Sequence, residues 1–229
     1  MTAPWTASVS RQPRIRVFLD RLAQAPPKSL LLEGGTEAER LGLGLYWAAR
    51  LSCHEAEPPC GVCRICRQVA DDAFRDLVLV NGSEGAIAID TVREIRAMLG
   101  DPPAGRGPRV IILAEAQALG DAAANALLKS LEEPRLGNVF VLLAPSREVL
   151  LPTLVSRSFV LTLGWPRGGE EDPEIQDWIA ALVEFIQSGR GLWLEWTGRK
   201  GNVDVRLAGR VLRDVQRALV QAGYGAPLT

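Results

Sequence analysis

Hydrophobic residues in this chain form short continuous runs that alternate with segments of helical spacing. A continuous apolar run of about four to eight residues is typical of a strand buried on both faces of a parallel sheet. Apolar residues that recur every three or four positions indicate helices instead. The alternation predicts βαβ units, and therefore a parallel α/β sheet of about five strands flanked by helices. The predicted strands are Ser29–Glu33, Leu77–Val80, Arg109–Leu113, Val139–Ala144 and Phe159–Leu163.

The predicted helices occupy the segments between these strands. They are Thr36–Ser52, a short helix after the cysteines, one near Asp90–Leu99, and Asp121–Glu133, which Pro134 ends. Gly164–Pro173 is rich in glycine, proline and acidic residues, which is typical of a linker. We therefore expect a sheet domain over residues 1–164 and a short helical region over residues 165–229. In that region we predict the helices Glu174–Ser188 and, approximately, Val203–Ala222, with tryptophans between them that pack inward or form an interface.

All four cysteines lie in one segment with the spacing Cys53-x6-Cys60-x2-Cys63-x2-Cys66. Thiolates bind Zn²⁺ tetrahedrally, and a Cys-x-x-Cys turn brings two sulfurs to one metal. Because four sulfurs fill the coordination shell, the spacing predicts a structural zinc module at about residues 52–67. Two disulfides, or thiols without a metal, are the alternatives, and the reducing cytosol argues against disulfides.

The turn after the first strand has the form of a phosphate-binding loop whose working residues are replaced. A P-loop reads G-x-x-x-x-G-K-[ST], in which backbone N–H groups wrap the phosphates, the lysine reaches them and the hydroxyl holds Mg²⁺. Gly34 keeps the first glycine. Glu39, Arg40 and Leu41 stand at the positions of the second glycine, the lysine and the hydroxyl.

Thr36 and Glu39 have the spacing of a capping box, which satisfies the free N–H groups of the helix without a phosphate. A helix that never bound nucleotide would look the same, so this loop alone leaves both interpretations open. The third strand favours a lost nucleotide site. A Walker-B strand ends in Asp-Glu, whereas this strand is followed by Ala114 and Glu115, so the metal-holding acid is missing. We expect no bound nucleotide, and we interpret Glu115 as an ordinary acid at a strand end.

Composition excludes some classes of function. The chain has 26 Lys and Arg against 27 Asp and Glu, a net charge of −1, whereas free-standing nucleic-acid binding is typically accompanied by a basic surplus. Apolar runs stay far below the roughly 18 residues that a membrane span requires, so we expect no membrane partner. Residues 1–20 contain three arginines and no apolar run, which predicts a cytoplasmic protein without a signal peptide.

Two later motifs resemble those of bacterial clamp-loader subunits. Residues 125–134 read NALLKSLEEP and resemble the NALLK-[ST]-LEEP signature, and residues 150–158 read LLPTLVSRS and resemble the LPT-x-x-SRC segment. The cysteine insertion falls where these proteins carry their zinc module, and the resemblance covers about residues 10–165. The degenerate P-loop with a retained Ser-Arg pair is similar to the delta-prime type of the DNA polymerase III clamp loader rather than to its ATPase, gamma/tau.

The resemblance implies an AAA+ P-loop-type fold in a pentamer with gamma/tau and delta subunits, which loads the sliding clamp onto primed DNA. In this family the arginine of the Ser-Arg-Cys motif is a finger that reaches the ATP site of a neighbouring subunit. The motif places that role on Arg157, with Ser156 in support and Ser158 in place of the cysteine. We expect Arg157 to have no partner within its own chain; the alternative is a solvated arginine, or one paired with an acid such as Glu148.

Together these patterns predict a catalytically inactive, delta-prime-type subunit that supplies an arginine finger in trans during DNA replication. The chain itself is expected to lack ATPase activity, although the assembly belongs to the DNA polymerase III holoenzyme. Two other functions are compatible with parts of the sequence. One is an ATP-binding, gamma/tau-like clamp-loader ATPase, and the other is a zinc-stabilised DNA-binding module outside replication.

Overall fold

Five parallel strands form the centre of the larger of two compact units in this protein. The computed structural model describes residues 3–132, 137–164 and 173–198, together with Val211. The units comprise residues 1–166 and 167–229. The strands are β1 (Ser29–Gly34), β2 (Leu77–Asn81), β3 (Arg109–Ala114), β4 (Asn138–Ala144) and β5 (Phe159–Leu163).

The strand order is β2-β3-β4-β1-β5, and every neighbouring pair is parallel. The strand that leads into the P-loop-like turn, β1, thus lies between β4 and β5, and β3 pairs with β4 on the other side. All five strands were predicted to within one residue at their ends, because each is a mostly apolar run; β4 is buried along its whole length, whereas β5 at the edge has two exposed residues. The predicted fold class, an AAA+ P-loop-type parallel sheet, is confirmed.

Helices cover both faces of the sheet. In the larger unit they are α1 (Thr6–Arg11), α2 (Pro13–Leu22), α3 (Glu37–Ser52), α4 (Arg64–Ala70), α5 (Ile89–Met98), α6 (Asp121–Glu132) and α7 (Pro152–Val155). Single 3-10 turns at Gly82–Glu84, Ala116–Ala118 and Arg147–Val149 follow β2, β3 and β4.

Alternate residues of each strand point to separate cores. Leu30 and Leu32 of β1 join a core with α3, α2 and the cysteine segment, whereas Leu31 points into a second core with α5 and α6. Trp47 of α3 and Phe140 of β4 are among the largest fully buried side chains of the two cores. Burial on both sides fixes the register of the sheet, since a slip of one residue would exchange the two faces.

The smaller unit contains α8 (Pro173–Ser188) and α9 (Leu192–Gly198) among its described residues. Trp178 of α8 is buried, and the rings of Trp193 and Trp196 lie 5.7 and 4.9 Å from it, centroid to centroid. These tryptophans pack on one another rather than standing free. The segment around them forms a helix that the sequence analysis treated as a connection, and the predicted helix near Val203–Ala222 lies outside the described residues except for Val211.

In the part of the chain that the structure describes, no helix combines the length and the apolar character that crossing a membrane requires.

Candidate functional site

The loop after β1 is a turn built on two glycines. Gly34 and Gly35 have φ angles of +75° and +56°, which favour glycine. A side chain at Gly34 would also place its Cβ 2.8 Å from the carbonyl oxygen of Leu163 on β5. The turn is therefore fixed both by backbone geometry and by the close approach of the edge strand.

The N-terminus of α3 follows this turn, and the protein's own side chains satisfy it. Thr36 Oγ1 accepts a hydrogen bond from the Glu39 N–H at 3.2 Å, and Glu39 Oε2 accepts one from the Thr36 N–H at 2.9 Å. The predicted capping box is thus present. Glu39 is fully buried, and Gln12 and Arg11 both contact its Oε1 at 3.3 Å. A buried carboxylate occupies the helix end where a phosphate would otherwise bind.

Arg40 fills the centre of the loop. Its Nη1 donates to the carbonyl oxygens of Gly34 and Gly35 at 3.0 Å each, and its Nη2 contacts Glu115 Oε1 at 2.5 Å. Only 3 % of Arg40 is exposed. The guanidinium therefore points into the turn and binds its oxygens, whereas a P-loop lysine would point its charge at a bound phosphate.

Glu115 completes this closure from the end of β3. Its φ of +50° lies in the left-handed region, which costs a non-glycine residue about 1–3 kcal/mol. Its carboxylate contacts Arg40 through one oxygen and accepts a 2.9 Å hydrogen bond from Gln117 Nε2 through the other. The expectation that Glu115 is an ordinary acid at a strand end missed this contact, because Arg40 and Glu115 are 75 positions apart.

The other two replaced positions lie in apolar surroundings. Ala114, where a Walker-B strand has its metal-holding acid, is buried in the core. Leu41, at the position of the Mg²⁺-binding hydroxyl, packs partly buried against that core. Neither side chain offers an oxygen to a metal ion.

A second ion pair lies beside the loop, and it was not predicted from the sequence. Glu33, the residue before Gly34, is buried and bound by the Arg147 guanidinium, by the Arg147 N–H at 2.7 Å and by Thr162 Oγ1 at 2.7 Å. Burial opposes the charge of this carboxylate, but the hydrogen bonds from Arg147 and Thr162 outweigh it and lower the pKa of Glu33. The sequence feature that could have indicated this ion pair is a charged residue at the end of an otherwise apolar strand.

Arg157 lies just after α7, on the surface, with 36 % of its side chain exposed. Its Nη2 contacts Glu132 Oε1 at 2.7 Å, and its Nη1 donates to the Thr153 carbonyl oxygen at 3.1 Å. Ser156 Oγ lies 3.5 Å from Nη1 and itself donates to Thr153 O at 3.1 Å. The expectation that Arg157 has no partner in its own chain is wrong, because the last residue of α6 brings a carboxylate next to it.

The four cysteines converge on one point between α3 and α4. Their sulfur atoms all lie within 4.8 Å of one another, with 3.9 Å between Cys53 and Cys63 and 4.0 Å between Cys60 and Cys66. Four sulfurs at about 2.3 Å from one tetrahedral ion would be about 3.8 Å apart, so these thiols fit a metal ion of that type. None of them forms a disulfide.

The local backbone supports metal binding by these thiols. The Cys63 N–H lies 3.3 Å from Cys60 Sγ, and the Cys66 N–H lies 3.4 Å from Cys63 Sγ. Backbone N–H groups of Val62 and Cys63 lower the pKa of Cys60 to about 7, whereas burial raises the pKa of Cys53 and of Cys66. Two buried thiols at the helix side and two partly exposed ones at the loop side can together hold one metal ion.

The fold and the loop define the class of protein: an AAA+-type α/β domain whose glycine turn after β1 is bound by the chain's own Arg40, with a four-cysteine insertion. The family model described as "DNA polymerase III, delta subunit" matches residues 14–166. The chain belongs to this family.

The chain is also similar to individual relatives and to solved structures. The chain is 37 % identical over 123 residues to "DNA polymerase III subunit delta'" of Haemophilus influenzae, covering 52 % of this chain and 37 % of that protein. It is 35 % identical over 131 residues to the protein of that name from Pseudomonas aeruginosa, covering 56 % and 40 %. It thus matches less than half the length of either relative. A gamma subunit-related protein of Thermotoga maritima is similar at 23 % identity with a TM-score of 0.48, covering 78 % of this chain and 53 % of that structure.

Proposed function

We propose that this chain is a clamp-loader subunit of the delta-prime type that holds no nucleotide itself and offers Arg157 to ATP bound on a neighbouring subunit. The observation that carries the proposal is the closure of its own loop by Arg40, which pairs with Glu115 and binds both glycine carbonyl oxygens. A nucleotide would have to displace this ion pair, whose side chains are 4 % and 12 % exposed, and meet the carboxylate of Glu39. The likeness to delta-prime relatives supports the same assignment.

Arg157 suits this role chemically. A guanidinium presents five donors in a rigid fork that matches a phosphate group. Arg157 is partly exposed, and its Nε–H has no partner within the described residues. Arginine fingers in the best-studied phosphoryl-transfer systems are worth about 10³–10⁵ in rate, because they neutralise charge that develops in the transition state.

The proposed partners are the gamma/tau and delta subunits, and through the assembly the sliding clamp and primed DNA. The cysteine cluster is proposed to hold one Zn²⁺ in a structural role, since four thiolates leave no open position for a substrate. Cytoplasmic location follows from the same assignment.

The test is ATP turnover by the complex reconstituted from this chain with its own organism's gamma/tau, delta, clamp and primed DNA. Arg157→Ala should lower clamp-stimulated turnover while assembly stays intact, and Arg157→Lys should recover little because lysine lacks the fork. Glu148→Ala, a change at an exposed acid of the same unit, is the control. Unchanged turnover in an intact Arg157→Ala complex would contradict the proposal and leave the chain as a scaffold.

A further inference from the structure

Glu132 is the last described residue of α6, and its carboxylate contacts a residue of another element. Lys129 lies in the same turn of the helix, but the described cation that contacts Glu132 is Arg157, whose Nη2 lies 2.7 Å from Glu132 Oε1. Both residues are substantially exposed, at 47 % and 36 % of their side chains, so core packing does not explain the pair.

The contacts around Arg157 hold its guanidinium on two atoms. Nη1 donates a hydrogen bond to the Thr153 carbonyl oxygen, and Nη2 donates one to the Glu132 carboxylate. The first contact is made within the turn that carries Arg157, whereas the second comes from a different helix, 25 positions earlier. These two contacts restrict the rotamers of the long arginine side chain before any ligand arrives.

We infer that Glu132 is a positioning residue for the arginine finger: it holds the Arg157 guanidinium in the orientation that meets a phosphate on the neighbouring subunit. This inference rests on the proposed function, because it needs Arg157 to act in trans. Glu132 does not touch ATP in this account. Glu132 raises the fraction of time that the Arg157 guanidinium points toward the phosphate of the neighbouring subunit. It therefore lowers the free energy of the transition state and leaves the affinity for ATP unchanged.

The expected effect follows from the exposure of the pair. Exposed ion pairs contribute about 0.2–1 kcal/mol, and loss of that preference lowers the aimed fraction by at most about fivefold. In the reconstituted complex, Glu132→Ala should therefore lower kcat for ATP by about 1.4-fold to fivefold and leave KM for ATP unchanged. Glu132→Gln keeps an oxygen acceptor in the same place and should recover most of the loss.

The experiment measures kcat and KM for Glu132→Ala, Glu132→Gln, Arg157→Ala and the Ala/Ala double variant, with Glu148→Ala as control and assembly checked by size-exclusion chromatography. If Glu132 acts through Arg157, its change has no further effect in the Arg157→Ala background. An Arg157→Ala complex with normal turnover contradicts the proposed function itself. A slow Arg157→Ala complex with a normal or faster Glu132→Ala complex overturns only the positioning role, as does a Gln variant as slow as the Ala variant.

Discussion

Arg40 and Arg157 both pair with a glutamate of their own chain, but in opposite surroundings. Arg40 is 3 % exposed and directs its donors inward, to two loop carbonyl oxygens and to Glu115. The Arg157 side chain is 36 % exposed, against 4 % for that of Arg40, and lies at the surface beside Glu132. Under the proposed function, the buried arginine closes the loop of its own chain and the exposed one stays accessible to a nucleotide on a neighbouring subunit.

The energetics of the two pairs should differ as much as their burial. Breaking a buried ion pair by removing one partner costs about 3–5 kcal/mol, because the remaining charge stays buried without compensation. An exposed pair contributes about 0–1 kcal/mol. The first pair is therefore expected to be part of the stability of the fold, and the second to be available for function.

The largest effect is expected at Arg40. Arg40→Ala should lower the free energy of unfolding by about 3–5 kcal/mol, since it leaves Glu115 without its cation in a strained backbone conformation. Arg157→Ala should change it by at most about 1 kcal/mol. Urea unfolding of the two variants and the parent protein checks this. Equal losses in the two variants would show that the comparison between the pairs is wrong.

A third arginine pair sharpens the comparison through pH. Because Arg147 and Thr162 lower the pKa of Glu33, its ionised form stabilises the fold above its ordinary value of 4.5. That contribution is lost as the pH falls below 4.5 through the lowered pKa of the folded state. Glu33→Gln should cost about 1–3 kcal/mol at neutral pH, the range for an unsatisfied buried polar partner.

The pH dependence separates this pair from a neutral contact. Between about pH 6 and about pH 3 the parent protein should lose more stability than Glu33→Gln, as measured by urea unfolding at each pH. Parallel curves for the two proteins would mean that Glu33 does not carry the stabilising charge.

The smallest effect on the sheet is expected at the cysteine cluster, which lies apart from both arginine pairs in sequence. The purified protein should contain one equivalent of zinc, because thiolates brought this close repel one another without a cation. Cys60→Ser should lower the zinc content and loosen the insertion while the far-ultraviolet circular dichroism of the sheet domain stays unchanged. Elemental analysis that returns less than half an equivalent in the parent protein would contradict zinc binding.

The sequence predicted the sheet well because burial on both faces leaves an unambiguous trace. Residues 110–113 and 139–144 are continuous apolar runs, and the structure buries every residue in them. The capping box was also predictable, since Thr36 and Glu39 are only three positions apart and act locally. The spacing of the four cysteines was enough to predict that their sulfur atoms lie close together.

What the sequence could not supply were contacts between distant charges. Three ion pairs join different elements: Arg40–Glu115, Arg147–Glu33 and Arg157–Glu132. Local spacing in the sequence does not indicate which glutamate pairs with which arginine. Glu148 was the nearer acid to Arg157 in sequence, yet Glu132 is its partner because α6 and α7 pack together. The replaced P-loop residues predicted a lost nucleotide site, and the structure adds the contacts that Arg40 makes in that loop.

The central claim is that Arg40 and Glu115 close this chain's own nucleotide site, and calorimetric titration of the isolated protein with Mg-ATP tests it most directly. The organism's gamma/tau subunit, titrated in the same buffer, is the positive control. We expect no binding tighter than about 1 mM, which corresponds to roughly −4 kcal/mol. A saturable site with a Kd well below that value would contradict it, since ATP would then enter the loop that Arg40 fills.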